Sequence, residues 1–202
     1  MDFLNSKTKD NLMRAFAGES QARNRYTFAA EFAREHGLYT LADMFLFTAD
    51  QERAHAQVFW GHMKEMSGKN INIEGGYPVE VFDNMADILR AAQHDEYSEY
   101  ESVYPSFAKA AVEEGFPKAA ASFTDIAKIE KIHGDRFGEL LKWVEEDKLF
   151  KDEMKIGWFC TNCGHIHYAD EAPEVCPVCK HARGYFIRQS MIPYTNEKII
   201  ML

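Results

Sequence analysis

Two Glu-x-x-His pairs, Glu52 with His55 and Glu130 with His133, are the residues whose types and spacing most plainly carry chemistry. Three residues is close to one helical turn, so in a helix each pair shares a face. A single pair of this kind is usually a solvated face. These two interrupt apolar stripes: Leu41, Phe45, Thr48, Glu52, His55, Phe59, Met63 in one segment, and Phe123, Ala127, Glu130, His133, Phe137, Leu141, Val144 in another. Each is also preceded by a further glutamate at near-equal distance. Glu19 lies 33 residues before Glu52, and Glu96 lies 34 before Glu130.

The same periodicity in the two preceding segments gives Leu12, Phe16, Glu19, Tyr26, Ala30, Ala33 and Leu89, Ala92, Glu96, Glu99, Val103. Five glutamates and two histidines therefore point toward one interior. A buried carboxylate costs several kcal/mol unless it is paired, protonated or bound to a metal. Arg23 is the one cation expected near this level, and it cannot balance five anions. Two divalent cations nearly can. Hard oxygen donors with one imidazole per metal suit iron or manganese, and the residues alone leave both open. One Glu from each of two helices plus Glu-x-x-His from each of the other two is the known ligand pattern of ferritin-like di-metal bundles, so the match is to an existing description. Tyr26 and Tyr104 are expected to donate hydrogen bonds to these carboxylates. His36, His62 and His94 are expected at a helix end or on the surface around the core.

All four cysteines lie close together, as Cys160-Thr-Asn-Cys163 and Cys176-Pro-Val-Cys179. Two such knuckles can close a tetrahedral thiolate site. Zinc and a single iron both fit that geometry. Four thiolates fill the site, so His165 and His167 are not expected to be ligands. Trp158, Tyr168, Tyr185 and Phe186 offer an aromatic mini-core around it. Paired cysteines in an otherwise cysteine-free chain point to a reducing compartment rather than to disulfides.

These residues need long helices to position them. Ser6 is a plausible N-cap for a helix that stops at Gly37. A second helix is expected from Thr40 to Ser67-Gly68, and a third from Val81 to Glu114 with a kink at Pro105. The fourth opens at Pro117, which suits a first turn, and runs to Asp147. The connections are short, long, short, which predicts a mainly α four-helix bundle with one long crossover, the ferritin-like arrangement. The bundle is assigned to residues 1–147, a charged linker to 148–157, and a small β-rich four-cysteine domain to 158–202. The 202 residues, 46% of them hydrophobic, suffice for one full domain and a smaller one. A net charge of −9 argues against nucleic acid or an anionic membrane as partner. No apolar run spans a membrane, and no targeting segment is expected at the N-terminus.

The blocks Ala15-Phe16-Ala17-Gly18-Glu19-Ser20-Gln21-Ala22-Arg23-Asn24-Arg25-Tyr26, Ala49-Asp50-Gln51-Glu52-Arg53-Ala54-His55, Glu96-x-x-Glu99-Tyr100, Tyr104-Pro105-Ser106-Phe107-Ala108, Glu130-x-x-His133 and the two cysteine knuckles together resemble the rubrerythrin family over nearly the whole chain. The resemblance implies a cytoplasmic enzyme that reduces hydrogen peroxide to water at a di-iron site. It implies one further iron at the four cysteines, relaying electrons from rubredoxin or an NAD(P)H-dependent reductase. It implies Glu52 and Glu130 as bridging ligands, with Glu19, Glu96, Glu99, His55 and His133 terminal. Glu99 and His55 would exchange on one iron with redox state, and a head-to-tail homodimer or higher homo-oligomer would bring one chain's cysteine site to its partner's bundle. A ferroxidase of the ferritin kind is the alternative, and a peroxide sensor with a zinc ribbon a third reading. The tail from Ser190 to Leu202 is expected to add a strand or pack at an interface, and His94 and Asp95 to tune the approach of peroxide.

Overall fold

Ser6 starts the first helix as its sequence position predicts: its hydroxyl accepts from Lys9 N at 3.1 Å. In this computed structural model, which describes residues 2–192, α1 spans Lys7–Glu35 and α2 spans Tyr39–His62. Gly37, at φ +71°, makes the left-handed turn between them. Helix α2 ends earlier than expected. Its chain tightens into a 3-10 turn at Lys64–Met66, a common way to satisfy final carbonyls. The long crossover follows. Helix α3 (Met85–Ser98) starts later than Val81, because Asn84 is the true N-cap and accepts from Asp87 N at 2.9 Å.

The expected Pro105 kink is a π turn. Residues Glu99–Val103 form it, and α4 (Tyr104–Glu114) continues beyond. Pro105 has no N–H and its ring would crowd the carbonyl four residues back. The wider turn accommodates this, with Tyr104 N donating to Glu99 O. The extra residue rotates the stripe by one position. Tyr104 is fully buried, whereas the expected Val103 is only half-buried. Helix α5 runs Pro117–Glu145. Helix α1 packs on α2 and α3 on α5, which closes the four-helix, ferritin-like bundle.

Two apolar layers stack along the bundle axis. Tyr26, Phe45 and Phe137 anchor one, and Phe59, Tyr104 and Phe123 the other. The layers are related by sequence: Tyr26 and Tyr104, Phe45 and Phe123, Phe59 and Phe137 are each 78 residues apart, as are Glu52 and Glu130, and His55 and His133. Glu19 and Glu96 are 77 apart. The added residue of the π turn, lying between Glu96 and Tyr104, accounts for the difference.

The expected linker is mostly strand. β1 spans Lys151–Cys160 and pairs antiparallel with β2 (Ile166–Glu171) and β3 (Phe186–Arg188), in the order β2-β1-β3. The polar run pairs through its backbone and keeps most of its side chains in water, which is why composition alone resembled a linker. The mini-core holds Trp158, Cys160, Ala172, Cys176 and Phe186, with Tyr185 partly buried. Tyr168 falls outside it and is exposed, since alternation along β2 turns it outward. No helix among the described residues is long and apolar enough to cross a membrane. Of the C-terminal tail, residues 193–202 lie outside the described part; Gln189–Met191 forms a 3-10 turn.

The β domain docks on the end of the bundle at the α1–α2 turn. Tyr185 stacks on Tyr39 with centroids 4.2 Å apart. The Arg188 guanidinium sits 3.8 Å from the Trp143 ring centroid and donates to the carbonyls of Lys148 and Lys151. Gly184 makes the closest approach: a Cβ there would lie 1.7 Å from Gly37 O. Backbone cannot yield that far. Gly184→Ala is expected to undock the β domain at a cost of at least about 1–3 kcal/mol, seen as faster hydrogen exchange and faster proteolysis at residues 146–150 with the bundle unchanged.

Candidate metal centres

Between the two aromatic layers the bundle is polar. Glu19 and Glu130 are fully buried, as is His133, and Glu52, Glu96 and His55 nearly so. They form two groups whose ligand atoms all lie within 4.8 Å of one another: Glu19, Glu52, His55 and Glu130, and Glu52, Glu96, Glu130 and His133. Glu52 and Glu130 belong to both. Each gives one oxygen to each group. Glu52 Oε2 is 3.4 Å from His55 Nδ1, and its Oε1 is 2.9 Å from His133 Nδ1. Glu130 Oε1 is 3.0 Å from His55 Nδ1, and its Oε2 is 2.9 Å from His133 Nδ1. That is the geometry of two carboxylates bridging two cations. Glu19 and Glu96 approach one imidazole each, at 3.6 and 3.5 Å.

These atoms converge without hydrogen-bonding. Among the described residues, twelve buried side-chain polar atoms lack a hydrogen-bond partner, and eight belong to Glu19, Glu52, His55, Glu96, Glu130 and His133. Native structures rarely tolerate such a concentration. Two divalent cations would satisfy all eight, so the donor set fits the group it is expected to hold.

The electrostatics agree. Burial opposes a charged imidazole, yet the close carboxylates of Glu130, Glu52 and Glu96 raise His133 to about 11; His55 is raised more strongly by Glu130, Glu19 and Glu52. Burial pushes Glu96 up to about 8, with the charge of Glu52 adding to it. Burial also raises Glu19, reinforced by Glu130 and Glu52. Glu52 is held well below the usual range despite its burial, by His133 and His55. The imidazoles thus carry the protons that cations would displace.

Both expected tyrosine donors are in place, and they cross between halves. Tyr26 OH donates to Glu96 Oε1, and Tyr104 OH donates to Glu19 Oε1. The Gln51 side chain was not foreseen. Its Oε1 lies 3.1 Å from His133 Nε2 and also accepts from Arg136. An amide oxygen only accepts, so Nε2 keeps its proton, and Nδ1, facing the cluster, is the nitrogen whose proton a cation would displace. Position 51 sits beside Glu52, one step off the apolar stripe, so periodicity gave no sign of it.

Glu99 stands apart. It is only half-buried and belongs to neither group. Its Oε1 lies 3.8 Å from where a Cβ on Gly18 would sit, and it lines a cavity of about 520 Å³ between α1, the crossover and the π turn. Burial raises its carboxyl well above the usual range, as do Glu130, Glu96 and Glu52. The related position on α1 is Ala22, 77 residues earlier, so Glu99 has no counterpart in the other half.

Arg23 is not the cation near this level. It is exposed, and Arg25 turns inward to pair with Glu80 and Asp95. Asp95 lines the cavity, while His94 is exposed. His62 bonds Ser122 Oγ at 2.9 Å, away from the cluster, and His36 stacks on Phe32.

In the β domain the four cysteines form the third group. Cys160 Sγ lies 3.7 Å from Cys179 Sγ, and Cys163 Sγ 3.7 Å from Cys176 Sγ. A tetrahedral metal with metal–sulfur bonds of about 2.3 Å puts its sulfurs roughly 3.8 Å apart, so the spacing fits. The two knuckles match. Gly164 N donates to Cys160 O and Lys180 N to Cys176 O, and both Gly164 and Lys180 are left-handed. The backbone N–H of His181 is the main cause that draws Cys179 down to about 5, and burial pushes Cys160 up to about 12. Neither His165 nor His167 joins the group.

Comparison with known proteins agrees with this geometry. The family model described as Rubrerythrin matches residues 10–141, and the one described as Rubrerythrin, rubredoxin-like domain, matches 158–187. The chain is 44% identical over 182 residues to the rubrerythrin of Clostridium perfringens, covering 90% of this chain and 93% of that one. It is 39% identical over 181 residues to the rubrerythrin of Nitratidesulfovibrio vulgaris, covering 90% and 93%. Among solved structures, fully reduced all-ferrous nigerythrin aligns with TM-score 0.61 at 30% identity, covering 91% of this chain and 90% of that one.

Proposed function

The chain belongs to the rubrerythrin family, and from that premise we propose that it is a cytoplasmic di-iron peroxidase that reduces hydrogen peroxide to water. The observation that carries this reading is the pair of four-residue groups sharing Glu52 and Glu130, beside an unmatched carboxylate, Glu99, that opens on a cavity. Glu52 and Glu130 would bridge two irons, with Glu19 and His55 completing one site and Glu96 and His133 the other. Iron bound there would supply one electron per metal, the two needed to cleave one O–O bond. Cys160, Cys163, Cys176 and Cys179 would hold a third iron.

The chain's own residues do the rest. Tyr26 and Tyr104 fix the orientation of Glu96 and Glu19 and hold their protons on the phenols. Gln51 fixes the tautomer of His133. The two aromatic layers keep water from reaching the cluster along the bundle axis. His55 lies with the cluster here and Glu99 lies outside it. This supports their exchange, since a neutral imidazole suits a ferrous site and a carboxylate a ferric one.

Electrons would come from rubredoxin or an NAD(P)H-dependent reductase through the cysteine site. Within one chain that site lies beyond the start of α2, and the 13 residues from Tyr39 to Glu52 span roughly 20 Å of helix. The gap favours a head-to-tail homodimer in which the partner's cysteine site serves this bundle. The test is anaerobic titration of the chemically reduced protein. The expected result is complete oxidation by one peroxide per two bundle irons, at least about tenfold faster than by air. Preferential oxidation by air, with uptake of many irons per chain, would instead mark a ferroxidase.

A further inference from the structure

His55 and His133 stand 78 residues apart in matching halves of the bundle, yet their surroundings differ. His133 Nε2 lies 3.1 Å from Gln51 Oε1 on α2. Arg136, one turn beyond His133 on α5, donates through Nη1 to that same oxygen at 3.4 Å and to Thr48 Oγ1 at 2.9 Å. A guanidinium only donates, so the Gln51 amide presents its oxygen to both partners. Thr48 in turn donates to Met44 O at 3.0 Å. The Arg136 guanidinium also rests 5.3 Å from the Phe47 ring centroid. His133 is thus tied across the bundle to α2.

The same offset puts Ile129, Ile126 and Val58 where Gln51, Thr48 and Arg136 stand. None of the three has a side chain that can donate or accept. The cluster contacts of His55 all run through Nδ1, and its Nε2 makes no hydrogen bond among the described residues. The His55 side chain keeps 8% of its surface exposed, against 0% for His133. Turning His133 away from a metal would strand a buried N–H, which costs at least as much as the bond it loses. Turning His55 away would strand nothing. Glu99 is placed for the His55 half. Its Oε1 lies 3.8 Å from where a Cβ on Gly18 would sit, next in sequence to Glu19. It shares its cavity with Tyr104, which donates to Glu19. Glu19 belongs to the group of His55 and not to that of His133.

We propose that Gln51, held by Arg136, is a positioning residue that locks His133 to its metal and so confines ligand exchange to the half containing His55. The inference rests on the di-iron peroxidase reading and deepens it. One half keeps a constant donor set through the redox cycle, and only the other is free to trade an imidazole for Glu99.

The first test needs no turnover. The full chain, stripped of metal and carrying isotopically labelled histidine, is titrated with redox-inert zinc in a chelator buffer. The ring-nitrogen resonances of His55 and His133 then report the two halves separately. Gln51→Leu is expected to weaken zinc binding in the His133 half by about 10–100-fold, the range for losing an outer hydrogen-bond partner of a ligating histidine, and to leave the His55 half within about twofold. Gln51→Glu keeps an acceptor for Nε2–H and is expected to restore the His133 half to within about threefold. Arg136→Met leaves the amide unheld and should weaken the same half by less than Gln51→Leu does. The second test compares crystals of the iron-loaded protein, reduced and then oxidised with hydrogen peroxide. His133 should stay at its metal in both states while His55 withdraws. Equal weakening of both halves by Gln51→Leu, weakening of neither, or a Gln51→Glu variant no better than Gln51→Leu would overturn the proposal. So would oxidised crystals in which His133 withdraws or His55 does not. Failure of the reduced protein to be oxidised stoichiometrically by peroxide would instead sink the peroxidase reading, and the zinc titration would still test the lock.

Discussion

Replacing Glu130 with Ala is expected to empty both bundle metal sites at once and to lower peroxide turnover by at least about 100-fold, the upper end of what losing a mere outer partner produces. The reason is geometric. Glu130 gives Oε1 to the group around His55 and Oε2 to the group around His133. Its loss leaves each group one oxygen short. Glu96→Ala touches only the group around His133. It should therefore leave about one metal per bundle. Metal analysis of the two variants, purified alike and reconstituted with ferrous iron, separates the cases. Equal metal content in both would mean that Glu130 does not bridge. The bundle itself should stay folded in either variant, because its two aromatic layers lie on both sides of the polar one and do not depend on it.

The second large effect is expected from Cys176→Ser. Cys176 is fully buried and belongs to a β-domain core cluster of five buried residues, two of which are cysteines of the candidate metal site. A core that small supplies little stability of its own. Binding of a structural metal by small thiolate domains contributes apparent free energies of about 10–16 kcal/mol, so losing one thiolate should unfold the β domain. The visible thiolate-to-metal absorption should vanish. Emission from Trp158, now buried between the strands, should shift toward that of solvated tryptophan. Helical circular dichroism should persist. Turnover driven through a reductase should fall by at least about 100-fold, while peroxide still oxidises the chemically reduced bundle at the unaltered rate. A reductase-driven rate that survives would show that electrons reach the bundle without the cysteine site.

The six bundle residues that converge and the four cysteines were legible from sequence for a shared physical reason. Each breaks a strong local pattern. Glu52, His55, Glu130 and His133 interrupt apolar stripes whose other members had to be buried, and a charge in such a stripe demands a partner. The cysteine knuckles are closed by local backbone bonds, so their spacing alone specifies the turn. Tyr26 and Tyr104 were legible as donors because a buried phenol needs an acceptor and the glutamates were near.

Tertiary structure decided what depends on residues distant in sequence. Val103 carried the right periodicity, but a π turn before Pro105 gave the inward position to Tyr104. Arg23 and Arg25 are two residues apart on one helix, and only the crossover and α3, by presenting Glu80 and Asp95, determined that Arg25 turns in. The charged run at 151–156 had no strand pattern of its own and joined β1 because β2 offered backbone partners at Lys151 and Ile156. The fit of Gly184 against Gly37 likewise joins positions nearly 150 residues apart. The sequence by itself determined that this chain gathers carboxylates, imidazoles and thiolates suited to metals, since burial of unpaired charge is too costly to be accidental. Which oxygens face both groups, which arginine faces the cavity, and that Glu99 stands outside the cluster while His55 lies within it were decided only by the packing of helices against one another.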